Sequence, residues 1–419
     1  MFVVTEAQIS LAALVILYVF LIGDWFHRAW AALGVAALLV LARVVSVTEA
    51  VSFVNFNTVG LLTGMMVLVG LLGEAGLFHR LGQSAQRLSR GQPQRLLWVF
   101  FIFTAIISAF LDNVTTILLL SPALFGAAED MDVDPIPFLM VMVAASNLGG
   151  LATLIGDPPN ILIGTAAHLS FNQFVTVLGP PAVILLAGLA LVVPRHLKAG
   201  QNPQRAVADP YQPPKTFPLA PRLIPLLGIL GAVLAAFILQ RPLHLSAGMI
   251  AVAGAALGIV ASVGRTGKIW RSVDWGTLGF FVGIFVLVGA LEHGGVIRHL
   301  ATFLARQNLG PWMPVAILVG SAVFSALLDN VPLVAAMIPL VERLGRMHPG
   351  YGLELWTALA LGAAIGGNAT IIGASANVVA QGMAEERGYR LEFRRYLPFG
   401  LTVFSVTLVL GVIYVMVIG

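Results

Sequence analysis

Cysteine is absent from all 419 residues, which removes disulfide staples, thiolate metal sites and cysteine nucleophiles at once. Charge is also scarce. Only 10% of the residues are Asp, Glu, Lys or Arg, against roughly 25% in an ordinary soluble domain. With 58% of the chain hydrophobic, no soluble core could hide the apolar surface. Runs such as Leu223–Gln240 and Pro398–Ile418 are apolar on every face, whereas a membrane barrel needs segments of about 10 residues of alternating polarity. The spanning elements are therefore helices. Glu6 stands where a secretory signal would carry its positive charge, and no small-residue cleavage site follows the first apolar run, so that run is expected to remain as the first span.

A crossing helix needs about 20 residues. The spans expected on this basis are 8–22, 29–46, 58–75, 137–163, 173–194, 223–239, 246–263, 276–292, 356–381 and 396–418. Two further apolar stretches, 96–128 and 312–341, are too long for one crossing and carry an Asp-Asn pair near the middle, which suits a re-entrant hairpin. With the N-terminus outside, loop Arg and Lys divide as 17 inside and 5 outside (Arg241, Arg298, Arg306, Arg343, Arg346), and Arg43 falls in a span. Such an asymmetry fixes the orientation. It also accounts for the net charge of +4 without any nucleic-acid partner. The proline-rich stretch 200–222 is expected as a cytoplasmic linker between two halves, 1–199 and 223–419.

Internal repetition sets the architecture. Ser108-Ala109-Phe110-Leu111-Asp112-Asn113-Val114 returns as Ser325-Ala326-Leu327-Leu328-Asp329-Asn330-Val331, an offset of 329 − 112 = 217. The same offset carries Pro122 to Pro339, Gly149–Gly156 to Gly366–Gly373 and Asn160 to Asn377. Each half holds five crossings, an odd number, so the second copy must be inverted relative to the first. The expected fold is an all-α membrane protein of two inverted repeats of five transmembrane helices, each with a re-entrant hairpin and a broken helix. That is the plan of secondary transporters, whose solute site lies between discontinuous helices.

Asp112 and Asp329 lie in apolar runs, where a carboxylate is costly unless it meets water, a cation, a proton or backbone donors. Each could equally cap the helix returning from a hairpin tip, and both roles can hold together. The segment Asn147–Asn160 cannot be a regular helix, because Pro158 and Pro159 remove donors and Gly149, Gly150 and Gly156 loosen the backbone. Its freed carbonyls are expected to act as ligands. In the second half Ala374-Ser375-Ala376 replaces Asp157-Pro158-Pro159, so only the first half carries a third buried acid. Close helix packing is the competing account of the glycine pairs. The expected solute- and ion-binding set is Asp112, Asn113, Thr115, Asn147, Gly149, Gly150, Thr153, Asp157, Asn160, Asp329, Asn330, Gly366, Gly367, Asn368, Thr370, Ser375 and Asn377, with Asp112, Asp157 and Asp329 coupling transport to protons. Glu74 and Glu292 read as snorkelling residues at span ends. His79, His293 and His299 read as solvated loop residues. Gly264-Arg265-Thr266-Gly267-Lys268-Ile269 is too short for a phosphate loop and lacks its Ser or Thr. No enzyme, cofactor or transition-metal site is expected.

The segment Leu111–Asn160 and its repeat Leu328–Asn377 resemble the ArsB/NhaD branch of the ion-transporter superfamily. They are also similar to the pigmentation P protein and to sodium-dicarboxylate carriers. In the dicarboxylate carriers the hairpin tips read Ser-Asn-Thr and the first break ends Gly-Thr-Pro-Pro-Asn. Here Asp112 and Asp329 stand at the serine positions, Val114 and Val331 at the threonine positions, and Asp157 at the threonine of the break. Three added carboxylates disfavour a free di- or tricarboxylate. The resemblance implies proton-coupled efflux of arsenite or antimonite across the cell inner membrane, with sodium–proton antiport as the alternative and a sodium-coupled anion carrier or a channel behind both. It also implies membrane lipid, a homodimer and an accessory ATPase subunit as candidate partners.

Overall fold

Within hydrocarbon a backbone can satisfy its polar groups only as a helix or a closed barrel. The computed structural model describes residues 6–23, 28–89, 92–197, 221–262, 273–307 and 309–418, and among these every regular element is helical. The first half comprises α1 (Glu6–Gly23), α2 (Arg28–Leu41), α3 (Val47–Phe53), α4 (Phe56–Glu74), α5 (Leu77–Ser89), α6 (Pro93–Ser108), α7 (Asn113–Asp130), α8 (Ile136–Gly150), α9 (Pro158–Ala166) and α10 (Phe171–Leu197). The second comprises α11 (Leu223–Ile238), α12 (Gln240–Leu243), α13 (Ala247–Ala261), α14 (Trp275–His293), α15 (Val296–Arg306), α16 (Met313–Leu327), α17 (Asn330–Met347), α18 (Gly352–Gly366), α19 (Ser375–Glu386) and α20 (Phe393–Ile418). Among the described residues Phe56–Glu74, Phe171–Val193, Trp275–His293, Gly310–Leu327 and Phe393–Val417 are long and apolar enough to cross a bilayer, and α1, α2, α6, α8, α11, α13 and α18 are apolar but shorter. Gly310–Leu327, the entering arm of the second expected hairpin, thus has the length of a full crossing.

The offset of 217 carries from sequence into structure. Helix α7 runs Asn113–Asp130 and α17 runs Asn330–Met347, with Pro122 and Pro339 inside them at the same turn. Helices α9 and α19 begin at Pro158 and Ser375. Packing between the halves is reciprocal: α4 lies along α13 while α14 lies along α2, and α9 meets α17 while α19 meets α7. These pairs exchange under the offset, as a pseudo-two-fold arrangement requires. Within each half the arm entering the hairpin packs on the helix leading to the break, α6 on α8 and α16 on α18. A Cβ added to Gly149 would lie 2.4 Å from the Ala105 carbonyl oxygen, and one on Gly366 would lie 2.3 Å from that of Ala322. These helices touch backbone to backbone, the approach that small residues permit in membranes.

Three expectations change. The expected span 29–46 stops at Leu41, and Arg43 lies beyond the helix in a left-handed turn with φ of 58°. That turn leads into α3, whose start is fixed by a capping box of Ser46 and Glu49. The stretches after the third and eighth expected spans are the amphipathic helices α5 and α15 rather than loops. His79 and His299 are therefore helical, and His293 ends α14. A search for apolar runs passes over such helices because half of each turn is polar. The phosphate-loop-like stretch and all of the linker except its last two residues lie outside the described residues. Of that pair, Arg222 donates from Nη2 to the Glu74 carbonyl at the end of α4, 2.8 Å away.

The paired close approaches make a stability prediction. Gly149→Ala and Gly366→Ala should each lower the melting temperature of the detergent-purified protein, by a destabilisation of about 1–3 kcal/mol typical of overpacking. Gly126→Ala, where nothing lies within 4 Å of the added carbon, should leave the melting temperature equal or slightly higher, since alanine is the better helix former.

Candidate functional site

Each hairpin tip is built by one acid. Asp112 precedes α7 and its Oδ1 accepts from the Thr115 amide at 2.9 Å. Asp329 precedes α17 and its Oδ1 accepts from the Val331 amide at 3.1 Å. Both acids therefore cap the returning helix. The second oxygen of Asp329 accepts the Ser375 hydroxyl proton, which ties the second hairpin to the start of α19.

The helix breaks follow one scheme in both halves. Asn160 Nδ2 donates to the Gly150 and Thr153 carbonyls, both at 2.9 Å, and Asn377 Nδ2 donates to Gly367 at 2.7 Å and Thr370 at 2.8 Å. Thr153 and Thr370 donate their hydroxyls to the Ala109 and Ala326 carbonyls at the hairpin tips. Ser108 and Ser325 reach the Ser146 and Ala363 carbonyls at 2.8 and 2.9 Å. The expectation of carbonyls open as ligands is thus corrected at Gly150, Thr153, Gly367 and Thr370, each of which already accepts a side-chain amide proton. A buried carbonyl left alone would cost several kcal/mol.

A run of buried amides joins the halves. Asn113 Nδ2 donates to Asn147 Oδ1 at 3.1 Å. Asn147 Nδ2 donates to Asn368 Oδ1 at 3.1 Å and to Asn377 Oδ1 at 3.0 Å. The direction is forced: Asn377 spends both amide protons on carbonyls, so its own oxygen must accept. Asn368 likewise donates to the Ala364 carbonyl at 3.0 Å and accepts from Asn147.

Beside this frame lies a cavity of about 470 Å³ between the first hairpin tip, the first break, α4 and the start of α14. Asp112, Asn113, Thr115, Asp157, Asn330 and Ser375 of the expected set line it. Asn147, Gly149, Gly150, Thr153, Asn160, Asp329, Gly366, Gly367, Asn368, Thr370 and Asn377 are not among its lining residues, and those whose bonds are given above hold the surrounding backbone. Asp157 is 3% exposed. Its Oδ2 accepts from Asn330 Nδ2 at 3.2 Å across the halves, and its Oδ1 is buried without a hydrogen-bond partner. Sequence reasoning missed Asp274, which lines the same cavity and caps α14 through the Thr277 amide at 2.9 Å. An acid directly before an apolar run was its visible signal. Among the described residues the lining contains no Lys, Arg or His. Among the described residues no three His, Asp or Glu side chains gather closely enough to hold one metal ion.

The amide run predicts an order of damage at Asn147. Asn147→Asp keeps the shape but turns the donor that faces two amide oxygens into a third acceptor. Asn147→Asp should therefore lower the melting temperature at neutral pH more than Asn147→Ala, with buried unsatisfied groups costing about 1–3 kcal/mol each. Less damage by Asn147→Asp than by Asn147→Ala would mean that the shape of Asn147 rather than its donors holds the halves together.

Comparison with known proteins agrees with this geometry. The family described as CitMHS, citrate transporter, matches residues 18–362 and again residues 306–419. An uncharacterised transporter of Mycobacterium tuberculosis, Rv2684, is 36% identical over 416 residues and is covered to 97%, as is this chain. The human P protein is 31% identical over 504 residues, which cover 99% of this chain and 60% of that protein. The crystal structure of the Alcanivorax borkumensis YdaH transporter, described as having an unusual topology, superposes with a TM-score of 0.61 at 18% identity, covering 88% of this chain and 87% of the other. That likeness shows the fold. The matched family and the bacterial relatives are described as transporters rather than enzymes, and they accord with a multi-pass protein of the inner membrane. A helical bundle with reciprocal halves around a carboxylate-lined cavity, matched over nearly its whole length, makes this chain a membrane transporter of the CitMHS citrate transporter family.

Proposed function

We propose that the protein is a secondary active transporter in which Asp157 exchanges a proton or a sodium ion while the cavity carries a neutral hydroxylated solute, arsenite or antimonite moving outward being the leading candidate. The observation that carries this reading is the unpartnered Asp157 Oδ1 beside a cavity that holds Asp112 and Asp274 and, among the described residues, no basic side chain. A buried carboxylate oxygen without a donor favours a proton or a cation. Arsenous acid is a neutral triol at pH 7, and Asn113, Thr115, Thr277, Asn330 and Ser375 offer amides and hydroxyls along the same wall. Citrate, which names the family, would meet only acids as charged groups among the described lining residues, which disfavours free citrate unless cations cancel its charge. Sodium–proton exchange is the second reading, favoured by the same oxygen, since it needs no solute beyond the two ions.

The halves 1–199 and 223–419 supply the means of alternation. The cavity runs from the first hairpin tip to the start of α14, and the loop charges assign that end of α14 to the cytoplasm. The pseudo-two-fold relation supports a second state in which the repeats exchange conformations and the cavity opens outward.

Proteoliposomes under an imposed pH gradient test the reading with radiolabelled arsenite, sodium and citrate in separate arms. Arsenite counterflow with pH-driven accumulation is the expected result, whereas sodium counterflow without arsenite movement selects the second reading. Movement of free citrate alone, without a divalent cation, would overturn the charge argument. Asp157→Asn should preserve counterflow and abolish pH-driven accumulation. If both fall together or both persist, coupling belongs instead to Asp112 and Asp329.

A further inference from the structure

A second cavity, of about 260 Å³, lies between α10, α18 and α20, away from the acids of the first. Its walls are Thr176 and Val177 of α10, Leu353, Glu354 and Thr357 of α18, and Tyr414 and Val415 of α20. Thr176 and Leu353 form an exposed rim, and Val415 lies buried at 5% exposure. The offset of 217 takes Glu354 to Pro137, so this acid has no counterpart in the first half and no part in the shared scheme of the breaks.

The hydrogen bonds of the walls decide what the cavity can hold. Thr176 donates its hydroxyl to the Asn172 carbonyl at 2.7 Å, Thr357 to Leu353 at 2.9 Å and Tyr414 to Val177 at 3.3 Å. A hydroxyl has one proton, so each hydroxyl here has committed its proton to backbone. Glu354 Oε2 is buried and has no hydrogen-bond partner. Among the described residues no Lys, Arg or His lines the cavity. The lining side chains thus offer a carboxylate and hydroxyl lone pairs, all acceptors, beside the apolar faces of Val177, Leu353 and Val415. An anion finds no side-chain donor there and would face the Glu354 carboxylate. A quaternary ammonium would bring charge but no N–H group. The complement is a primary ammonium with an apolar body, whose three donors can reach Glu354 and the hydroxyl oxygens.

We propose that this cavity is a binding site for an amphiphilic primary ammonium, with its nitrogen on Glu354. The same chemistry occurs in soluble alkylamines and in the ethanolamine headgroup of a membrane lipid. The rim faces the end of the bundle that the loop charges assign to the outside, so a lipid would come from the outer leaflet. The site connects to the transport frame, because α18 runs from Glu354 to Gly366 at the second break, and Tyr396 of α20 donates to the Asn368 carbonyl at 3.1 Å. An occupant wedged between α18 and α20 therefore acts on the break through both helices, and its binding should change the transport rate.

The full-length protein in detergent is titrated with hexylammonium, with hexanol as the neutral analogue of equal length, and the melting temperature is read. In parallel, native mass spectrometry counts phosphatidylethanolamine, phosphatidylcholine and phosphatidylglycerol retained on the protein. Hexylammonium should stabilise the wild type and hexanol should not. Glu354→Gln should weaken binding by about tenfold or more, the loss expected for a charge-assisted hydrogen bond. Val177→Phe, which fills the cavity with the acid intact, should abolish binding and guards against misfolding of the first variant. Preferential retention of phosphatidylethanolamine, lost in both variants, identifies the lipid as the source; hexylammonium binding without lipid retention identifies a soluble amine. Equal shifts with hexanol, no shift with hexylammonium and no ethanolamine lipid retained, or unchanged binding in both variants would overturn the proposal.

Discussion

Broken helices at membrane depth leave carbonyls that no water can satisfy, and the way this chain satisfies them governs the rest of its structure. Asn160 and Asn377 each place one side-chain amide across a gap of ten and seven residues, onto Gly150 and Thr153 in one half and onto Gly367 and Thr370 in the other. A double donor is what the break requires, because a hydroxyl has one proton and a carboxylate has none. Since both protons point inward to the break, the amide oxygens point outward. Asn377 therefore presents an acceptor to its surroundings, and Asn147 meets it. The link between the halves follows from the repair of the break.

The same constraint explains the hairpins. An entering arm ends in carbonyls that the returning arm cannot reach. Thr153 and Thr370 supply the hydroxyls that close the tips at Ala109 and Ala326, which requires each break to lie against each tip. Contact that close is open only to helices without side chains between them, and Gly149 and Gly366 remove those side chains. Glycine, threonine, asparagine and the capping acid thus form one structural unit, present twice. The unit is rigid because its donors and acceptors are matched, and its copies can hold a cavity between them without collapsing into it.

Function, on this view, resides where the copies differ. Asp157 stands opposite Ala374, Asn147 opposite Ala364 and Asn368 opposite Leu151, and Asp274 caps α14 where the neutral Asn55 caps α4. Each difference lies in the cavity or in the amide run beside it. A symmetric unit would supply scaffold alone. The added acids give the cavity an acidic wall, and the added amides give the two halves a directional bond. Charge and register are set independently of the elements that keep the backbone satisfied.

Much of this was legible because the repeat copies chemistry as well as apolarity. The Asp-Asn tips, the glycine pairs and Asn160 with Asn377 stand in gapless register, and the helices that start at Asn113 and Pro158 start again at Asn330 and Ser375. The amphipathic helices α5 and α15 escaped because a search tuned to continuous apolar runs reads half-polar turns as loops. The destination of an amide proton escaped for a different reason. Asn160 can be located from sequence, but whether it binds a solute or its own backbone depends on the curvature of a seven-residue break that no spacing reveals. With Gly150 and Thr153 as its partners, each of those carbonyls already accepts one proton. On the proposed reading the burden of selecting the cargo falls on Asp112, Asp157 and Asp274, and the charge on the solute is then the quantity that separates one substrate class from another.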